Sequence, residues 1–152
     1  MKVYRFRFEK LLKSKKTILN DLAGKTARAE KILQMENEKL KLLLDGRHEC
    51  LQKIGVLQVG VIDARELERC HRYLHQLQDA AEKQSGLVNE ISQRIDLLRN
   101  LLVETEKEKR ILEKLDERER DEYLQEFLRK EQAILDEIGM NRFIQRNRYH
   151  YA

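Results

Sequence analysis

The chain has 152 residues and a mass of 18.2 kDa, which allows one domain. It contains 38% charged residues, no Trp and no Pro, and its mean hydropathy is −0.72, so a large globular core is excluded. The net charge of +4 is uneven, because residues 1–16 carry +6, residues from Gly139 onward carry +3 and the long middle is acidic. Basic termini suit nucleic acid, anionic lipid or an acidic protein surface, and charge does not choose among them.

The sequence shows no sign of a leader or a membrane span. Its start, Met1 to Arg7, lacks the apolar stretch of a signal peptide, and the most apolar short run, Val56 to Ile62, is far below the ~20 residues that a bilayer requires. We therefore expect a cytoplasmic protein, and a reducing compartment would keep its two cysteines as thiols.

Helix one is predicted over about residues 4–55, because apolar residues recur at alternating spacings of four and three. The stripe is broken only by Lys15, Thr26, Glu36 and Arg47. Its members are Phe8, Leu12, Lys15, Leu19, Leu22, Thr26, Ala29, Leu33, Glu36, Leu40, Leu43, Arg47, Cys50 and Ile54.

A turn is predicted over 56–63 and a second helix over about 64–138. Asp63 offers an N-cap side chain with Glu66 three residues later, so this helix is expected to begin at Ala64. Its stripe consists of Leu67, Cys70, Leu74, Leu77, Ala81, Gln84, Val88, Ile91, Ile95, Leu98, Leu102, Thr105, Lys109 and Leu112. The pattern predicts an all-α fold, one coiled-coil domain over 1–152 in which two long helices form an antiparallel hairpin.

The polar seam positions predict the register. If residues whose numbers sum to about 120 face each other, Glu36 meets Gln84 and Lys15 meets Thr105, so that polar layers pair with polar layers. Cys50 and Cys70 also satisfy this rule, and we expect mild oxidation of the monomer to join them if their Cα atoms lie within ~7 Å.

In this register the second helix is longer and overhangs the first. Its last ~25 residues would extend ~40 Å without a partner helix. They carry more apolar side chains than an isolated solvated helix tolerates, which indicates another molecule as a cover. Gly139 is expected to end the helix and release a basic tail over 139–152.

Patterns for chemistry are weak. Gly24-Lys25-Thr26 resembles the end of a phosphate-binding loop, but the preceding glycine is missing and the segment lies in a helical stripe. His48, His71 and His75 lie near the two cysteines without the paired spacing of a zinc site. We expect no catalytic, metal or cofactor site, and retain a nucleic-acid-binding or homodimeric coiled-coil scaffold as alternatives.

One family resemblance spans nearly the whole chain. The opening Tyr4-Arg5-Phe6-Arg7-Phe8-Glu9-Lys10-Leu11-Leu12 resembles the start of the bacterial flagellar export protein family FliJ. Tyr73, Leu74 and Leu77, and the segment from Glu131 to Gly139 with Phe143, are similar to that family and to the related stalk proteins of virulence injectisomes, which are the closest alternative.

The resemblance implies a non-enzymatic stalk and adaptor of type III protein export, acting in flagellum biogenesis, motility and chemotaxis. It implies insertion into the hexameric ring of the export ATPase FliI, contact with the export gate FlhA, escort of export chaperones and a peripheral position at the cytoplasmic side of the inner membrane. The residues that it assigns to the ATPase ring are Phe6, Phe8, Leu11, Leu12, Tyr123, Phe127 and Leu128. Those that it assigns to the export gate are Leu43, Tyr73, Leu77 and Ala80, while the aromatics expected near Gly46 and Cys50 are absent.

Overall fold

The computed structural model describes residues 3–148, with side chains through 147. It contains two helices, α1 over Glu9–Leu57 and α2 over Ala64–Arg148, of 49 and 85 residues, and the described part of the chain has no strand. The helices run antiparallel and pack against each other, and the second is the longer. The predicted all-α coiled-coil hairpin is therefore confirmed.

The chain divides into two compact units. The turn unit is Ile18–Glu104, and the terminal unit combines Met1–Thr17 with Thr105–Ala152. Each unit contains a segment of α1 and a segment of α2. A single domain over 1–152 stays a prediction.

The heptad stripes give the buried seam. Every predicted seam position in both stripes is buried or half-buried except Arg47, which is exposed. Gly46 takes the inward position instead, and a Cβ on it would lie 3.8 Å from a methyl carbon of Leu77. Ile95 is the most buried large side chain, at 2% exposure, and Thr26 is buried with its hydroxyl donating to the Leu22 carbonyl at 2.8 Å. The Gly24-Lys25-Thr26 segment is thus ordinary helix.

The predicted register is confirmed in the turn unit. The Gln84 amide donates to the Glu36 carboxylate at 2.6 Å and to the Glu36 carbonyl at 2.9 Å, and the Cys50 thiol donates to the Cys70 carbonyl at 3.4 Å. In the terminal unit, the ammonium group of Lys15, expected opposite Thr105, forms an ion pair with Glu108 about one helical turn further on.

The turn between the helices follows its sequence signals. The Asp63 carboxylate accepts hydrogen bonds from the backbone N–H groups of Arg65 at 3.1 Å and Glu66 at 3.4 Å, so α2 begins at Ala64 as predicted. Gly60 has a φ of +88°, a left-handed conformation that glycine adopts without a steric cost. The first helix continues two residues past Gly55, because a single glycine costs only about 1 kcal/mol in a helix.

Two predicted helix ends are wrong. The first helix begins at Glu9 and not near residue 4, because the preceding residues dock on α2 in an extended form. The second helix continues through Gly139 to Arg148, so the tail predicted over 139–152 is helical as far as it is described. Gly139 lacks the positive φ of a helix-ending glycine, and no proline follows to stop the helix. Residues 149–152 lie outside the described part.

Candidate protein-interaction surfaces

The N-terminal segment, Val3 to Phe8, covers part of the terminal unit. Its burial alternates, since Tyr4, Phe6 and Phe8 are buried or half-buried while Val3, Arg5 and Arg7 are exposed, as in an extended strand with one side against a surface. The Glu9 backbone N–H donates to the Phe6 carbonyl at 3.3 Å, which turns the chain into α1.

Tyr4 fixes this segment to α2. Its hydroxyl lies 2.7 Å from Oδ1 of Asp116 and 3.2 Å from the Asp116 carbonyl, and its ring centroid lies 5.7 Å from that of Tyr123. The Arg120 guanidinium carbon stands 5.6 Å from the Tyr4 ring centroid. Desolvation, followed by the hydrogen bond to Asp116, raises the pKa of Tyr4 to about 12. The expectation that the overhang of helix two lies without a partner is therefore wrong as far as Tyr123.

The residues assigned to the ATPase ring differ in accessibility. Phe6 is 8% exposed and its ring lies 5.9 Å from that of Phe8, so Phe6 belongs to the fold of the terminal unit. Phe8 and Leu12 are half-buried, and Leu11 is 45% exposed. The structure therefore leaves Leu11, and part of Phe8, as the accessible apolar surface at this end of α1.

The C-terminal part of α2 carries a second group of exposed apolar side chains. Tyr123 and Phe127 are half-buried, and every described residue after Phe127 is exposed. We call the apolar stripe on this segment the α2 face; it consists of two adjacent rows, each advancing by four or seven residues along the helix. The first row is Tyr123, Phe127, Ile134 and Ile138, and the second is Leu124, Leu128 and Leu135. Contacts within the terminal unit cover only the beginning of this face.

The residues assigned to the export gate lie in the turn unit, and most of them belong to its core. Leu77 is 8% exposed and forms a cluster with Cys50, Ile54 and Cys70, against which Leu43 packs. Ala80 is half-buried, and Tyr73 is 54% exposed. Tyr73 is therefore the one of the four with a largely accessible side chain.

Tyr73 stands beside a groove of about 420 Å³ in the turn unit. The groove contains charged residues of both signs, and Lys53 forms an ion pair with Glu66 at 3.6 Å. The residues that line it include Gly46, Cys50, Lys53, Glu66, Cys70 and Tyr73. Since Gly46 and Cys50 are small, they leave this volume open.

Metal-binding and membrane-spanning features are not apparent in the described residues. No group of three or more His, Cys, Asp or Glu side chains within residues 3–148 could hold a metal ion. In the same range, neither helix combines the length and the hydropathy that a bilayer crossing requires.

A family model described as "Flagellar FliJ protein" matches residues 4–148. The chain belongs to the FliJ family. No curated protein and no solved structure matches it. Membership gives this chain a role related to flagellar protein export. The match begins at Tyr4, the residue that docks the N-terminal segment on α2.

The Tyr4–Asp116 contact was missed at the sequence level although two signals pointed to it. The numbers 4 and 116 sum to 120, so this pair obeys the same register rule as Glu36 and Gln84. In addition, Tyr4, Phe6 and Phe8 alternate with Arg5 and Arg7, which is the period of an extended segment and not of a helix.

Proposed function

We propose that the chain is a non-enzymatic stalk and adaptor of the flagellar type III export apparatus. Its terminal unit inserts into the ring of the export ATPase FliI, and its turn unit contacts the export gate FlhA. Through these partners it is held at the cytoplasmic side of the inner membrane, and it escorts export chaperones. Family membership supports the export role, and the accessible surfaces of the two units support the choice of contacts.

The observation that carries the ATPase contact is the α2 face. Leu124, Leu128, Ile134, Leu135 and Ile138 are between 44% and 61% exposed. Fully burying a large aliphatic side chain stabilises a protein by about 1.5–3 kcal/mol. These five side chains are about half exposed in the isolated chain, so much of their burial free energy is not gained there. A protein surface that covers these side chains would recover it.

The N-terminal end of α1 supplies a second contact of mixed character. Leu11 and the accessible part of Phe8 offer apolar area, while Arg5 and Arg7 are exposed and charged. The Arg7 guanidinium carbon lies 4.6 Å from the Phe8 ring centroid, which keeps charge and apolar surface adjacent. Such a surface suits a partner with apolar pockets and acidic rims.

The gate contact rests on a smaller area. Tyr73 projects beside the groove, and Tyr is a residue type that often dominates binding energy in protein interfaces. Leu43, Leu77 and Ala80 support the Tyr73 surface from the core side of the turn unit, so replacing them would alter the hairpin as well as the contact.

The test is binding to purified FliI hexamers and stimulation of ATP hydrolysis. Replacing both Phe127 and Leu128 by Ala should weaken binding by about tenfold or more, because truncated interface anchors typically cost over 1 kcal/mol each. Amide exchange after Phe127 should be fast in the isolated chain and slow in the complex, because few contacts protect this segment alone.

The matched control is Ile111→Ala, which removes a 66% exposed apolar side chain from α2 of the same unit but outside the α2 face. It should leave FliI binding unchanged, and both variants should melt close to the parent protein. If the Phe127 and Leu128 variant binds as tightly as the control, the α2 face is not the ATPase contact.

A further inference from the structure

Both cysteines of the chain meet in the seam beside the turn. Cys50 on α1 is 7% exposed and Cys70 on α2 is 8% exposed, and both are free thiols. The Cys50 sulfur lies 3.4 Å from the Cys70 carbonyl oxygen, so its side chain points at the backbone of the opposite cysteine. Disulfides join residues whose Cα atoms are about 4.4–6.8 Å apart, and facing seam positions of two packed helices are the places where a hairpin approaches this spacing.

The buried pair lies between a hydrophobic cluster and a groove. Leu77 and Ile54 belong to the same buried cluster, whereas on the other side Cys50 and Cys70 both line the 420 Å³ groove. Gly46 lines this side as well, and it has no side chain to extend into the groove. Both cysteines therefore border a groove at the surface of the turn unit.

We propose that Cys50 and Cys70 form a reversible redox site, in which a small-molecule disulfide oxidises the two thiols to an internal disulfide that joins α1 to α2. One cysteine thiolate attacks the reagent's S–S bond, forms a mixed disulfide and releases a first small thiolate. The thiolate of the second cysteine then attacks the protein sulfur of the mixed disulfide and releases a second small thiolate. The cysteine pair loses two electrons and two protons, and the reagent gains them as two thiols.

The bond would constrain the turn end of the hairpin. It would close the loop of residues 51–69, which contains the whole turn, and so reduce the freedom of the unfolded chain. It would also link the two walls of the groove beside Tyr73, so oxidation would alter the shape of that surface. The redox site is independent of the partners proposed above, because it involves only this chain.

The experiment equilibrates the full chain with glutathione buffers of increasing oxidised fraction. The bond is read by mass spectrometry of unreduced peptides and by non-reducing electrophoresis. We expect a monomer with an internal Cys50–Cys70 bond that dithiothreitol reverses, and a higher melting temperature for the oxidised monomer. Oxidation of the folded chain should require a smaller oxidised fraction than oxidation of the chain in denaturant, by about tenfold or more in equilibrium constant.

A displaced pair serves as the matched control. Cys70→Ser together with His71→Cys moves one thiol to the adjacent exposed position and leaves the closed loop nearly the same length. This variant should stop at mixed disulfides with glutathione. The proposal is overturned if the parent chain gives only mixed disulfides or intermolecular dimers, if its folded thiols resist oxidation, or if the displaced pair closes equally readily.

Discussion

At the residue scale, the pair Glu36 and Gln84 does the most to fix how the helices align. An amide that bonds both the side chain and the backbone of one glutamate cannot do so after a shift of one helical turn. The Gln84 hydrogen bond, with a smaller contribution from Lys39, holds the pKa of Glu36 below its usual value. The contact between Glu36 and Gln84 therefore fixes the register of the two helices and also makes the free energy of unfolding depend on pH.

Replacing Gln84 by Ala should lower the free energy of unfolding at neutral pH and flatten its pH dependence. Because the folded-state pKa of Glu36 is depressed, its stabilisation is present above the ordinary carboxyl pKa and is lost as pH falls through the lowered value. Without Gln84 the two pKa values approach each other, so less stability is lost on acidification. Urea unfolding at neutral and acidic pH measures both effects.

The exposed Gln76→Ala on the same helix is the control, since its removal leaves the polar layer intact. It should unfold like the parent protein at every pH. An unchanged pH dependence in the Gln84 variant would show that Glu36 is not stabilised by this contact.

The buried positions of the seam can be predicted residue by residue, because apolar residues at heptad spacing mark the side of a helix that is buried. Arg47 is the one seam position for which this prediction is wrong. A strict alternation of four and three assigned it inward, whereas the helix turns Gly46 inward, where Leu77 fills the space left by the missing side chain. The heptad pattern predicts where the buried stripe runs along the helix, but side-chain packing determines which of two adjacent residues faces the other helix.

At the scale of elements, the N-terminal segment is the part of the fold for which the helical pattern gave the wrong prediction, because α1 begins at Glu9 and not near residue 4. Residues 4–8 have no helix-breaking residue, so extending α1 backward to them was the simplest interpretation. The extended form is favoured because the Tyr4 hydroxyl bonds the carboxylate and the carbonyl of Asp116 on α2, and because the Phe6 ring is buried. Contacts with residues distant in sequence therefore stabilise this element, and the alternation of aromatic and basic residues over 4–8 is its only local signal.

Tyr4→Phe should loosen the segment while leaving α1 and α2 intact. The loss of the hydroxyl removes both bonds to Asp116, so amide exchange around residues 4–9 should become several-fold faster. The raised pKa also predicts a pH effect in the parent protein. The contribution of the Tyr4 hydroxyl to docking is fully present below the ordinary tyrosine pKa of 10.0 and is lost as pH rises through about 12.

The phenol of Tyr73, in the turn unit, offers the control. Tyr73→Phe should leave exchange around residues 4–9 unchanged. If Tyr4→Phe also exchanges like the parent protein, the segment is held by Phe6 alone, and the bonds to Asp116 contribute nothing measurable.

The end of α2 could not be placed from sequence, because a glycine in a helix is an energetic cost and not a stop signal. Gly86 lies within α2 as Gly139 does, and neither adopts a positive φ. A helix-ending glycine is recognised by the left-handed conformation that it adopts, which depends on the residues that follow. The exposure of the α2 face was nevertheless predictable, because no further apolar stripe remains in the chain to pair with it.

At the scale of the whole molecule, charge and apolar surface point to different partners for the termini. Residues 1–16 carry +6 and the chain from Gly139 carries +3, which suits a polyanion as well as an acidic protein surface. The exposed apolar side chains nearby, Leu11 on α1 and Met140 and Phe143 on α2, suit a protein surface better than a polyanion. The acidic middle of the chain opposes phosphate along most of the sequence.

The final prediction separates the stalk from a nucleic-acid-binding coiled coil. Replacing Phe8 and Leu11 by Ala should lower stimulation of FliI by about tenfold or more, since interface energy concentrates in apolar anchors. Phe6 is left unchanged because its burial makes it part of the fold. Neutralising Arg5, Arg7, Arg142 and Arg146 to Gln should reduce stimulation less, and mainly at low salt.

The same variants are then titrated with duplex and single-stranded oligonucleotides at several salt concentrations. The parent protein should bind weakly, and that binding should disappear at physiological salt, because a few phosphate contacts are readily displaced by counterions. Ile32→Ala, a 50% exposed apolar site in the turn unit, is the control and should behave like the parent protein in both assays. Tight binding at physiological salt that survives loss of Phe8 and Leu11 but requires the four arginines would reject the stalk and favour nucleic acid as the partner of the basic termini.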